Sequence, residues 1–338
     1  MRPHSRVIVF ALALVIAGCD SPQSYMGNTA GPAAQQLASL GWQALLAFGA
    51  ATLITWGLIL WVALRRRGTL AEHAPIDANH GQAWILIGGV AVPFVVLAVL
   101  FISMLDSLAA FPIHHSSEAN QPDIRLTGQQ WWFEAEYGAG PGSHQVFVPT
   151  EIHIPVGRPI DIELQTRDVI HSFWIPKLHG KVDLVPGILN RIRIIASRPG
   201  TYEGQCAEYC GMQHALMRLR VIALPEQEYA TWLAHQREPA SEPTTDAARH
   251  GREVFMSAAC PLCHTVRGTG AHGRLGPDLT HLASRNRIAG GAFRNDTANL
   301  QAWITHAQSM KPGSRMSNLT EFSGADLQAL SAYLQSLR

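Results

Sequence analysis

The stretch "GQCAEYCGMQHALM", Gly204–Met217, carries two cysteines, two methionines, a histidine and a glutamate in fourteen residues. A disulfide loop, a zinc knuckle and a site for another metal all draw on such residues, and the choice among them decides the fold. Zinc favours C-x-x-C spacing with a second pair of ligands, and no good second pair is present. Copper electron-transfer sites use thiolate, imidazole and a weak axial thioether. Cys206, Cys210, His214 and Met217 offer these from one short loop, and "DVIHSFWIP" adds His171 upstream.

The surrounding chain supplies a scaffold. "DIRLTG", "EIHIPV", "PIDIELQ" and "RIRIIA" alternate apolar and polar residues as half-buried strands do, with Gly, Pro and Asn between them. Several such strands between 120 and 225 predict a β-sandwich or barrel. A sandwich with an upstream His and a downstream Cys/His/Met loop is the general plan of a copper-binding cupredoxin domain.

Lys plus Arg is 26 and Asp plus Glu is 25, a balance without the basic excess of nucleic-acid binding. Hydrophobic residues make up 47% and charged residues 15%, and the apolar excess is localised. Val7–Ala17 follows Arg2 and Arg6 and reads as a secretory signal over 1–18. It ends in "IAGC", which resembles a bacterial lipoprotein cleavage box and implies lipidation of Cys19. Residues 19–40 form a leading segment outside the cytoplasm. Within a transmembrane hairpin over 41–107, Trp42–Leu64 and Trp84–Leu105 hold no charged residue. As helices they reach ~33–34 Å, enough for a ~30 Å hydrocarbon core. Pro93 is expected to kink the second. Arg65, Arg66 and Arg67 place the connecting loop in the cytoplasm and both ends outside.

After the sandwich, 226–246 reads as a short helix followed by a flexible, exposed linker, "REPASEPTTD". From 247 to 338 the pattern turns helical, and Leu327, Leu330 and Leu334 lie on one face of a final helix. "CPLCH", Cys260–His264, is the attachment pattern of a c-type haem, with His264 as proximal iron ligand. "GPDL" follows twelve residues later, and "MKPGSRM", Met310–Met316, precedes the final helix. This order resembles a small class I, all-α cytochrome c. The resemblance implies Met316, rather than Met310, as the second axial ligand. His272 and His281 read as solvated loop residues, and His114 and His115 as linker residues rather than ligands.

The loop pattern C-x-E-x-C-G-x-x-H-x-x-M resembles the binuclear copper A loop of the cytochrome c oxidase subunit 2 family. "GQQWWFEAEY" (128–137), "HSFWIP", "KVDLVPGILN" and the helix hairpin extend that likeness over 41–235. The resemblance implies that Cys206 and Cys210 bridge two copper ions, that His171 and His214 each bind one, and that Met217 is a weak axial ligand. It gives Glu208 a carbonyl ligand to copper and a carboxylate facing a magnesium ion shared with subunit 1. Trp131 takes the place of the electron-accepting tryptophan. Gln129 and Phe133 depart from the family's His and second Trp, and "NHGQAW" lacks the Glu often found before the second helix.

The whole chain is thus expected to be a multidomain membrane protein: helix hairpin, cupredoxin domain, cytochrome c domain. The implied function is that of the electron-receiving subunit of a caa-type oxidase in the bacterial cytoplasmic membrane, with both soluble domains outside. Electrons would come from a cytochrome c or a quinol–cytochrome c reductase complex and leave to subunit 1, where oxygen is reduced; other oxidase subunits and membrane lipid complete the partners. The rival reading is a tethered cupredoxin–cytochrome shuttle or copper-delivery protein, which would use the same ligands without an oxidase.

Overall fold

The computed structural model describes residues 26–65, 78–109, 121–138 and 145–338. The signal segment, Cys19, Arg66, Arg67, His114 and His115 lie outside the described residues. Two units are present, one containing the apolar helices and one containing everything from 121 onward.

In the first unit, α1 spans Pro32–Arg65. Proline suits the first helical position because its missing N–H would have no partner there. The helix begins ten residues before the expected Trp42, so residues 32–40 of the leading segment are helical. "PAAQQLASL" consists largely of good helix formers, whereas hydropathy marks only the apolar span. Then α2 (Ala78–Leu86) passes through a π turn, Ile87–Ala91, into α3 (Val92–Ala109). Pro93 donates no hydrogen bond and its ring crowds the carbonyl four residues back, at Gly89. The wider π turn lies where that conflict falls. Leu53, Trp84 and Phe94 all point outward, and both helices are long and apolar enough to cross a membrane. The Thr52 and Thr55 hydroxyls donate to the carbonyls of Phe48 and Ala51, each at 2.8 Å, so neither needs water.

The second unit begins with two five-stranded sheets. The strands are β1 (Ile124–Gln129), β2 (Trp132–Tyr137), β3 (Val146–Pro149), β4 (Glu151–Pro155), β5 (Ile160–Thr166), β6 (His171–Trp174), β7 (Val182–Leu184), β8 (Asn190–Ile194), β9 (Gly200–Cys206) and β10 (Arg218–Leu224). One sheet runs β3-β2-β1-β5-β8, the other β4-β10-β9-β6-β7. The β1–β5 and β4–β10 pairs are parallel and the others antiparallel. Leu126, Phe133, Ile162 and Leu164 from the first sheet are fully buried with Phe173 and Val221 from the second. Strand β4 is buried along its whole length because α4 (Glu226–Arg237) covers it. Trp232 of α4 stacks on His153 at 3.9 Å, and burial pushes the pKa of that imidazole down to about 3.

The linker is largely exposed, as expected, and also makes contacts of its own. Residues 238–245 are held against the following domain: Ala240 N–H donates to Arg267 O at 2.9 Å, Glu242 pairs with Arg252, and Pro243 is buried. Proline-rich linkers are stiffer than Gly/Ser tethers, and here the chain lies along a surface that accepts it. The docked segment also covers His281, which is 1% exposed rather than solvated and lies 3.2 Å from Glu238 O. His272 is exposed, as expected.

Four helices follow: α5 (Asp246–Ser257), α6 (Cys260–Cys263), α7 (Thr297–Met310) and α8 (Gly324–Ser336). Side chains of Thr245, Asp296 and Ser323 accept from free N–H groups at the starts of α5, α7 and α8. Helices α5 and α8 cross at Gly251. A Cβ there would collide with Ala329 O and sit 2.8 Å from Tyr333 Cβ. The Gly251→Ala variant is expected to lower the thermal unfolding temperature of this domain, with overpacking costing roughly 1–3 kcal/mol. Melting followed through helical circular dichroism checks it; unchanged melting would show that the helices can part without cost.

Candidate metal and haem sites

Strands β6 and β9 pair in register, with Phe173 opposite Cys206, which brings His171 beside the start of the Cys206–Met217 loop. The loop is pinned at both ends by the Cys206 N–H donating to Met217 O at 3.0 Å. It turns sharply at Gly211, whose φ is +110° and whose missing side chain leaves room for the Trp131 indole. A short 3-10 turn, His214–Leu216, then hands the chain to β10.

This geometry gathers the expected metal ligands. Cys206 Sγ lies 3.8 Å from Cys210 Sγ and 3.9 Å from His171 Nδ1. Cys210 Sγ lies 3.6 Å from His214 Nδ1 and 3.8 Å from Met217 Sδ. The Glu208 carbonyl oxygen points inward, 3.2 Å from Cys206 Sγ. Its carboxylate points away and pairs with Lys181 at 3.2 Å. His171, Cys206, Cys210 and Met217 are all buried. Two thiols, two imidazole nitrogens and a thioether within this span form a soft-to-borderline donor set that fits copper.

The electrostatics hold one thiolate in place. Cys206 sits well below the ordinary thiol range, first through its hydrogen bond with Cys210 and then through His171. The same bond, with burial, pushes Cys210 far up. Burial works against charge on His171, but its hydrogen bonds to Cys206 and Asp168 outweigh that and raise its pKa. Asp168 was not picked out from the sequence. It lies 2.8 Å from His171 Nε2, and its position three residues before the histidine in "DVIH" was the available clue.

Trp131 donates its indole N–H to Cys210 O at 2.9 Å, and Gln130 Nε2 donates to the same oxygen at 2.8 Å. The indole is 8% exposed, and residues of the helical domain cover part of it: Gly313 lies against the ring, with a Cβ position 3.3 Å from it.

The second site is a cleft in the helical domain. Cys260, Cys263, His264 and Met316 all line it, with Leu279, Leu300 and Leu330 among its apolar walls. Met310 is absent from that lining and ends α7. His264 Nδ1 is 2.8 Å from Pro277 O, and burial lowers the pKa of the ring. Gly276 explains the "GPDL" turn: a Cβ there would come within 2.6 Å of the His264 ring. Two thiols on one turn, an oriented imidazole and an apolar cleft with a thioether fit a covalent haem.

Residues 139–224 match the family described as the cytochrome c oxidase subunit II periplasmic domain, and residues 248–338 match cytochrome c. Cytochrome c oxidase subunit 2 of Alkalihalophilus pseudofirmus is 32% identical over 97% of this chain and 95% of its own length. The Bacillus subtilis subunit 2 is 25% identical over 100% and 99%. A solved periplasmic domain of subunit II from Bradyrhizobium japonicum is 28% identical, covering 35% of this chain and 96% of that one, with a TM-score of 0.32. The fold and site define a membrane-anchored, two-domain chain with a β-sandwich and a cytochrome c domain. It belongs to the cytochrome c oxidase subunit 2 family, in the form that carries its own cytochrome c domain.

Trp131→Phe keeps an aromatic ring but trades the buried indole for a smaller phenyl and removes one of the two donors to Cys210 O. The expected loss is about 1 kcal/mol for the donor, because Gln130 still satisfies the carbonyl, plus roughly 1–2 kcal/mol for the packing that the smaller ring gives up. Denaturant unfolding of the purified chain measures the sum, and unchanged stability would show that neither the indole N–H nor its bulk holds the loop.

Proposed function

We propose that this chain is the electron-receiving subunit of a respiratory cytochrome c oxidase. It would carry one covalent haem c and a binuclear copper A centre and feed subunit 1, where oxygen is reduced to water. The observation that supports this most is the convergence of buried His171, Cys206, Cys210 and Met217 with half-buried His214, in a chain that also has Cys260, Cys263, His264 and Met316 around one cleft. When bound, the metals supply one-electron redox chemistry at both sites.

The chain's own residues do the rest. Cys206, Cys210, His171 and His214 would hold the copper, the two thiolates as its shared ligands, with Met217 and the Glu208 carbonyl as weaker ones. Asp168, accepting from His171 Nε2–H, fixes the tautomer that turns Nδ1 toward Cys206; the tautomer is assigned from that partner. Pro277 O does the same for His264, accepting from Nδ1–H and leaving Nε2 to face the cleft. Cys260 and Cys263 would bind the haem covalently, and Met316 would supply a thioether to it from the same cleft. Trp131 joins the two sites, touching Cys210 on one side and Gly313 on the other. The Glu208 carboxylate, now paired with Lys181, would take a magnesium ion shared with subunit 1. A lipid on Cys19 and a cleaved signal over 1–18 complete the proposal. The chain would lie in the bacterial cytoplasmic membrane with both soluble domains outside, and its donor would be a cytochrome c or a quinol–cytochrome c reductase complex.

Cys206→Ser and Cys210→Ser are each expected to abolish the mixed-valence dicopper EPR signal of the purified chain and to leave the haem absorption intact. Either variant keeping the native copper signal would overturn the bridging assignment. Met316→Ala is expected to remove the weak sulfur-to-iron band of the oxidised haem and to lower its potential, since thioether ligation raises it. Met310→Ala should do neither; loss of the band in that variant alone would move the ligand to Met310.

A further inference from the structure

Lys311 is 2% exposed, yet no carboxylate is its hydrogen-bond partner. Its Nζ donates to three backbone carbonyls: Trp131 at 2.8 Å, Leu216 at 3.2 Å and Ala289 at 2.8 Å. The first two belong to the cupredoxin domain, Trp131 in the turn between β1 and β2 and Leu216 within the copper ligand loop itself. Ala289 belongs to the cytochrome domain, as does Lys311 itself. A primary amine with three acceptors from two domains is a clasp, because each carbonyl would otherwise be left short of a donor in the interface.

The surroundings show a built contact. Ala289, Gly290 and Gly291 are consecutive residues with positive φ, of 55°, 71° and 82°. A Cβ on Gly290 would collide with Trp131 O, and one on Gly291 would lie 3.0 Å from Arg218 O. Only glycine lets this turn approach the cupredoxin backbone so closely. Arg218 N–H then donates to Gly290 O at 3.0 Å, and Asn286 N–H to Glu151 Oε1 at 3.2 Å. On the far side of Lys311, Gln213 Nε2 donates to Pro312 O at 2.9 Å.

We propose that Lys311 is a positioning residue that clasps the cytochrome domain onto the Trp131 face of the copper domain, fixing the separation across which the two sites communicate. Burial lowers its pKa to about 7, and the clasp does not depend on full charge, since the neutral amine still donates two of the three bonds. The communication part rests on the copper and haem reading above; the clasp itself does not.

The test uses the full chain in detergent and the Lys311→Met variant, which keeps the side chain's length and apolar stem and removes every donor. Hydrogen exchange reads the clasp directly, because the Arg218 and Asn286 amides donate across the interface. Both are expected to exchange about tenfold faster or more in the variant, while the cores of β5 and α8 keep native protection and the haem spectrum is unchanged. Native protection of both amides in the variant would overturn the clasp. So would equal loosening of the cores, which would assign Lys311 to folding in general. A second measurement follows haem-to-copper electron transfer after a light-driven electron is delivered to the haem. It should slow by about tenfold or more when the fixed approach is lost. An unchanged rate beside faster amide exchange would overturn the positioning role and leave the clasp a stability device. A wild-type chain with no such transfer would fail the copper and haem reading, with the exchange result still deciding the clasp.

Discussion

The carbonyl oxygen of Cys210 accepts from Trp131 and from Gln130, and three parts of the molecule meet at that atom. The ligand loop presents it, the turn between β1 and β2 supplies both donors, and the cytochrome domain packs against the back of the indole. A loop that carries ligands must be held by something other than the metal if the site is to be rigid before it is filled. Here the holding is done by two neutral hydrogen bonds, by Gly211 in a conformation that other residues avoid, and by the Cys206–Met217 bond that closes the loop's base.

Orientation of the ligands follows the same logic one step further out. Neither His171 nor His264 is left to choose its tautomer. Asp168 fixes the first and Pro277 the second, each at 2.8 Å. The two partners differ in kind. Hydrogen bonds to Cys206 and to the Asp168 carboxylate raise the pKa of His171 against the effect of burial, whereas burial lowers that of His264 although the Pro277 carbonyl works the other way. The two imidazoles thus stand in environments of opposite electrostatic character.

Much of this was legible in the residues themselves. The spacing of Cys206, Cys210, His214 and Met217, the C-x-x-C-H run and the alternating strands are local patterns, and local patterns survive in a sequence. What escaped reading was non-local. Lys311 stands in "SMKPGS" like any loop lysine, and its carbonyl partners are 95 to 180 residues away for the copper domain. Gly290 and Gly291 read as an ordinary turn, because nothing in "AGGA" announces a backbone from another domain. The same blindness misplaced His281. A loop histidine looks solvated until the segment that covers it is known. The first helix contains the expected span and extends ten residues further back, because its N-terminal turns are good helix formers without being apolar.

The glycine turn at 289–291 has a consequence for how the two domains respond to their medium. Separate redox partners commonly find each other through complementary surface charge, and such encounters weaken as ionic strength rises. Across this interface the contacts are mostly backbone carbonyls, amides and a sequestered amine; the half-exposed Arg274 beside Glu134, at 3.7 Å, is a cross-domain charge pair open to ions. Dissolved ions have little to screen in the rest. Apart from that one pair, the two halves of this chain should be held together in a way nearly indifferent to salt, so that, on the function proposed above, salt sensitivity of turnover would report mainly on the arrival of the external donor.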